Sequence, residues 1–198
     1  MFFKAKASGP VDWLIVGLGN PDKKYVGTRH NAGFAALEAL AEKLSVRVDR
    51  VKYKSFCGEA RIGDNRVLLM MPQTYMNNSG EAVREAMQFY KLPPERVLVM
   101  FDDISLPVGT IRVRRNGSAG GQKGMASIIQ LCGSDKFPRV KVGVGEKPHP
   151  DYDLAAWVLS KFTKEEAPLV VDAARRAADA ACLIVEKSID EAMNRFSR

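Results

Sequence analysis

A chain of 198 residues, 46% of them hydrophobic, is long enough to bury a sizeable core and reads best as one domain with one principal cleft. Lys and Arg outnumber Asp and Glu by 30 to 23, so the formal charge is +7, which favours a polyanionic partner if the charges gather on one face. Three cysteines with no C-x-x-C pair argue against a disulfide framework and a thiolate zinc site, and fit a reducing cytoplasm.

The run Met1 to Lys6 has two bulky apolar residues before a lysine, too few for a signal-peptide core, and no later stretch is apolar enough to cross a bilayer. A cytoplasmic protein with no membrane partner is expected. Leu14 to Leu18 is a short apolar run ending in Gly19-Asn20-Pro21, which predicts a buried strand opening into a turn. Phe34, Leu37, Leu40, Ala41 and Leu44 then recur at helical spacing. Residues 46–62 and 66–71, split by Gly63-Asp64-Asn65, predict a hairpin, and a helix near 80–91 follows the polar loop Gln73 to Ser79. Val97 to Phe101 predicts a second buried strand, stopping at Asp102-Asp103, and Ile111 to Arg115 another. A glycine-rich loop, Asn116 to Gly124, leads to a short helix with Ile128, Ile129 and Cys132, then to a strand over 140–144. Thr163-Lys164-Glu165-Glu166 matches a capping box and predicts a long helix to about Lys187. Strands alternating with helices predict an α/β, three-layer domain with ligands where strands end in polar loops.

Several familiar chemistries fail on their motifs. Gly17-Leu18-Gly19-Asn20-Pro21-Asp22 begins like a dinucleotide loop but has Asp22 at the third glycine position. There is no phosphate-cradling G-x-x-x-x-G-K-[ST] and no G-x-S-x-G nucleophile elbow. The two histidines, His30 and His149, share no helical turn, so no metal is expected. His149, between two prolines, reads as a surface residue. A lone histidine such as His30 is more often a cap than a catalyst. Its company strengthens the catalytic alternative, because Asn20 and Asp102 sit at strand ends and Asn77 in a long polar loop.

Leu14 to Pro21, Tyr25 and Thr28-Arg29-His30-Asn31-Ala32-Gly33 resemble the opening of the bacterial-type peptidyl-tRNA hydrolase family. Pro72 to Gly80 resembles its second motif, and Asp102-Asp103 with Leu106-Pro107-Val108-Gly109 its third, over about residues 12–196 in matching order. The resemblance implies a mixed twisted sheet with helices on both faces. It also implies hydrolysis of the ester joining a peptide to the 3′ end of tRNA, without metal or cofactor, by a monomer that needs no protein partner. By position it implies His30 as the base that activates water, Asp102 as the acid that orients it, and Asn20, Met76 and Asn77 as substrate-binding residues. Tyr25 is either core or a residue that stacks near the nucleic acid. Arg114 and Lys141 fall where the family grips the tRNA end, whose phosphates must be held without reading bases.

The match departs at Gln122-Lys123, where the family usually has His-Asn. Lys123 offers donors and charge but cannot accept a hydrogen bond, so it would contact a phosphate or a substrate carbonyl. The alternative function is a non-catalytic RNA-binding relative of the same fold, and a nucleotide-dependent enzyme using the Gly17-to-Asp22 loop is the other rival.

Overall fold

The two runs expected as buried strands lie side by side at the centre of one sheet: β1 (Trp13–Gly17) and β5 (Val97–Asp103) pair in parallel, Leu14 opposite Val97. The computed structural model describes residues 10–197, so the expectation about Met1 to Lys6 lies outside the described residues. Beside β1 runs β4 (Asn65–Pro72), and beside β5 runs β7 (Arg139–Gly143), both parallel to their neighbours. Antiparallel strands close the two sides: β2 (Arg50–Lys52) and β3 (Ser55–Ile62) on one, β6 (Ile111–Arg114) on the other. Among the described residues seven strands thus form one mixed sheet, in the order β2-β3-β4-β1-β5-β7-β6.

Successive residues of the central strands face two separate cores, which is why they read as unbroken apolar runs. Ile15, Leu69, Leu98 and Met100 face α1 (Ala32–Lys43) and α5 (Ala167–Glu186), with α6 (Ile189–Phe196) alongside. Leu14, Val16, Met70, Val99 and Phe101 face the opposite layer, α2 (Ser79–Tyr90) and α3 (Lys123–Cys132). The expected three layers are therefore present.

The boundaries differ from expectation in four places. The first strand after α1 starts at Arg50, not residue 46, and a turn at Tyr53-Lys54 splits the segment, with φ of +50° at both residues and no glycine to signal it. Ile62 pairs with Asn65, so the β3–β4 turn is the two residues Gly63-Asp64. The Thr163 capping box forms, with Glu166 Oε2 accepting from the Thr163 N–H at 2.8 Å and Thr163 Oγ1 from the Glu166 N–H at 3.2 Å, but the regular helix begins one turn later at Ala167. A short helix, α4 (Leu154–Val158), and a separate α6 were not expected; Asp153 and Ser188 cap them, accepting from the N–H groups of Ala156 and Glu191.

β1 lies between β4 and β5, so the chain leaves β1 in one direction across the sheet and returns from β4 in the other. Such a switch point opens a crevice beyond the carboxyl ends of the parallel strands. One close approach sets its depth. A Cβ on Gly33 would overlap the Met100 carbonyl oxygen and the Leu18 backbone, and one on Gly17 the Gly33 carbonyl oxygen. Only glycine at both positions lets the start of α1, and the turn before it, press onto the ends of β1 and β5.

Candidate active site

The crevice is a cleft of about 520 Å³. Asn20, Tyr25, His30, Tyr75, Met76, Asn77, Asp102, Gln122 and Lys123 line it, with Leu154, Ala155, Val158 and Leu159 in and beside α4 as an apolar wall. Every residue expected in catalysis or substrate binding therefore lines one space, although they come from separate segments of the chain.

Each side chain is placed by a local feature. His30 lies in a single 3₁₀ turn, Arg29–Asn31, that leads into α1, and Asp102 is the second-last residue of β5. His30 Nδ1 is 2.9 Å from Asp102 Oδ2, and both residues are buried, at 8% and 3% exposure. A carboxylate only accepts, so Nδ1 is the donor in this contact and Nε2 is the ring nitrogen left for the cleft. Asn20 is held by Asn31 in a reciprocal pair: Asn31 Oδ1 accepts from the Asn20 N–H at 2.9 Å, and Asn31 Nδ2 donates to the Asn20 carbonyl at 3.0 Å. Asn20 Oδ1 accepts from the Met76 N–H at 2.9 Å, which leaves its Nδ2 as a donor with no partner among the described residues.

Tyr75, just before Met76, has φ +58° and ψ 161°, a conformation that costs a non-glycine residue on the order of 1–3 kcal/mol. It turns the Met76 amide toward Asn20, while the Tyr75 hydroxyl lies 3.0 Å from the Asp22 carboxylate. Asn77 is exposed on the following 3₁₀ turn.

Sequence reasoning assigned no role to Gln122, Arg29 or Tyr75. Gln122 caps α3: its Oε1 accepts from the Met125 N–H at 2.7 Å, and its Nε2 donates to Asp102 Oδ1 at 3.0 Å. Lys123 is the exposed first residue of α3. Arg29, only 3% exposed, stacks over the Trp157 ring at 3.8 Å and the Phe162 ring at 4.8 Å, and it donates to the Val144 carbonyl and to Glu166. With the Arg29 N–H donating to the Ser160 carbonyl, this cluster ties the wall formed by α4 to the turn that carries His30. An arginine directly before His30 is plain in the sequence, but its burial is not.

Arg114 and Lys141 lie outside the cleft lining, on the sheet face that carries α2 and α3. In the β6–β7 register Arg112 stands opposite Lys141 and Arg114 opposite Arg139. Lys141 Nζ is bound to Asp103 Oδ2 at 2.9 Å. Burial pushes the Asp103 carboxyl up, but hydrogen bonds from Ser105 and Lys141 outweigh it and hold it below its ordinary value. Arg139 is buried and donates to the carbonyls of Ser118 and Asp135, supporting the glycine loop. His149 is exposed beside Tyr152.

A family model described as peptidyl-tRNA hydrolase matches residues 14–198. The peptidyl-tRNA hydrolase of Agathobacter rectalis is 52% identical over 186 residues, covering 93% of this chain and 100% of its own. That of Alkaliphilus metalliredigens is 50% identical over 186 residues, covering 93% and 99%. The solved structure of peptidyl-tRNA hydrolase from Acinetobacter baumannii superposes with a TM-score of 0.88 at 33% identity, covering 96% of this chain and 97% of that one. This chain belongs to the peptidyl-tRNA hydrolase family.

Proposed function

We propose that this enzyme, which acts on peptidyl-tRNA, hydrolyses the ester with a water molecule activated by His30 and held to its task by Asp102. Family membership carries the activity itself. The observation that supports the mechanism is the buried 2.9 Å contact between His30 Nδ1 and Asp102 Oδ2 at the mouth of the sheet. With Nδ1–H committed to the carboxylate, Nε2 faces the cleft as the base, the part an imidazole most often takes in proton transfer.

His30 Nε2 takes a proton as the water oxygen bonds to the ester carbonyl carbon, and the carbonyl electrons move onto oxygen. The Nδ2 of Asn20 and the amide of Asn77 are the donors for that oxyanion and for the peptide backbone. As the intermediate collapses, the bond to the ribose 3′ oxygen breaks and that oxygen takes the proton back from His30. The products are free tRNA and a peptide carboxylic acid, which releases its proton to solvent as it leaves as the carboxylate. Asp102 accepts from His30 Nδ1 throughout and stabilises the imidazolium.

On this account Tyr25 and Met76 contact the terminal nucleotide or the peptide, Lys123 an oxygen of the substrate, and Arg114 and Lys141 the tRNA phosphates. The whole chain, 1–198, works as one domain, a monomer in the cytoplasm needing no metal, cofactor or protein partner. Among the described residues no helix is long and apolar enough to cross a membrane. The test is release of tRNA from an N-blocked aminoacyl-tRNA, with a chelator in a parallel reaction. His30→Ala is expected to lose about 100- to 10,000-fold in rate with tRNA affinity nearly unchanged, and the chelator to have no effect. Near-normal turnover by His30→Ala would remove this base from the mechanism. Tight tRNA binding by the unaltered protein without turnover would return the non-catalytic alternative.

A further inference from the structure

Resting on the mechanism above, we infer that Gln122 is a positioning residue for the reaction: it fixes the buried Asp102 carboxylate, and through it the direction in which His30 presents its base. The side chain is 7% exposed and its two ends cannot be exchanged. Oε1 sits 2.7 Å from the Met125 N–H, a group that only donates, so the oxygen must face the helix. The Nε2 end is thereby aimed at Asp102 Oδ1, at 3.0 Å, with Met76 Sδ at 3.1 Å.

The result is a hydrogen-bond chain of defined direction. The α3 backbone donates to Gln122, Gln122 donates to one oxygen of Asp102, and His30 donates to the other at 2.9 Å. Asp102 is 3% exposed, and its neighbour Lys141 is bound to Asp103 instead. Among the described residues its side-chain partners are a neutral amide and the imidazole, and no lysine or arginine is bound to it. An amide does not titrate, so the first of these donors is present at every pH. Rotation of the carboxylate, which would carry His30 with it, is opposed by a contact anchored in the backbone of α3.

Gln122→Ala removes this donor and the cap together, and kcat is expected to fall about 10- to 100-fold with little change in KM, as for a sub-ångström displacement of a base. Gln122→Glu separates the two roles. Its carboxylate still accepts from the Met125 N–H, so α3 stays capped, but it meets Asp102 as a like charge until the pair shares a proton. Its pH–rate profile is expected to narrow from both sides, because the added charge favours the protonated imidazole while loss of the shared proton at higher pH restores the repulsion. The other titratable groups of the cleft, Tyr25, Tyr75, Lys123 and Asp103 with its Lys141, are the same in every variant.

The decisive variant is the double exchange Asp102→Asn with Gln122→Glu. The new carboxylate accepts from Met125 and from the Asn amide, which leaves the Asn oxygen to accept from His30 Nδ1. At neutral pH it is expected to be at least about tenfold faster than Asp102→Asn alone, whereas two independent lesions would multiply. Wild-type kcat and pH profile in Gln122→Ala, or no recovery in the double variant, would overturn the role of Gln122. These outcomes differ from failure of the mechanism, which shows as an active His30→Ala.

Discussion

Replacing Arg29 by Met tests whether the wall of the cleft is tied to the catalytic turn by charge or by packing. Methionine keeps much of the apolar stem between Trp157 and Phe162 but removes donors to the Val144 carbonyl at 2.8 Å, to the two Glu166 oxygens at 2.8 and 3.2 Å, and to Ser160 Oγ at 3.2 Å. Hydrogen bonds to a charged group contribute about 1.5–3 kcal/mol each when buried. The Glu166 side chain is 23% exposed, so water recovers part of its share, whereas the Val144 carbonyl is left in a dry site. A loss of about 2–4 kcal/mol follows, less than for a fully buried pair. For a chain of this size that is a fall of roughly 4–16 °C in Tm, read by calorimetry or by circular dichroism at neutral pH. The pH dependence gives a second readout. Burial pushes the Glu166 carboxyl up, but hydrogen bonds from Arg29 and the Thr163 N–H hold it below its ordinary value. A folded value below the unfolded one, near ~4.3, contributes stability that is present above the unfolded value and lost as pH falls through the folded one. The wild-type protein should therefore lose stability more steeply than Arg29→Met between about pH 5 and about pH 3. A Tm within about 2 °C of wild type, with parallel pH curves, would mean that packing alone holds α4 and that the ion pair is dispensable.

The fold was legible wherever strands are buried on both faces or a helix has one long apolar stripe. β1, β5, α1 and α5 are of this kind, and their residues announce themselves by composition and period. The elements missed are short ones, in which no period can develop. α4 has five residues with none buried, so only its cap, Asp153, marks it. The Tyr53-Lys54 turn is built from residues that rarely adopt positive φ, and the strands it joins impose the conformation. The break before α6 did carry a signal, since Ser188 stands three residues before Glu191 in the spacing of a capping box.

The site divides along a similar line. Asp102 ends β5 and Asn20 follows β1, while His30 and Asn77 lie on 3₁₀ turns in polar loops, and their convergence follows from the topology. What no sequence pattern shows is which atom of each is already engaged. Gln122 reads as a loop polar residue until α3 begins at the very next residue and takes its oxygen. Lys141 reads as a free cation until β5 places Asp103 beside it. Arg29 stands in the sequence only as the residue before His30, and the return of the chain through 157–166 buries it.

Two further outcomes test the remaining surface. Arg114→Ala should weaken tRNA binding and lower the slope of log affinity against log salt by roughly one unit, whereas Lys141→Ala should lower it by less, because Asp103 already neutralises that lysine. Equal slopes for both variants and wild type, from filter binding over a salt series, would leave these charges without a role on the nucleic acid. Lys123→Ala should slow release of tRNA from peptidyl-tRNA, because its exposed ammonium at the cleft edge has no partner of its own among the described residues. If Lys123 meets a carbonyl, Lys123→Asn should regain part of the rate, since an amide still donates; if it meets a phosphate, asparagine cannot replace the charge and the defect stays in affinity and depends on salt. Wild-type rate and affinity in Lys123→Ala would make that lysine a solvated loop charge, and the substrate contacts at this corner of the cleft would then fall to Asn77 and the glycine loop alone.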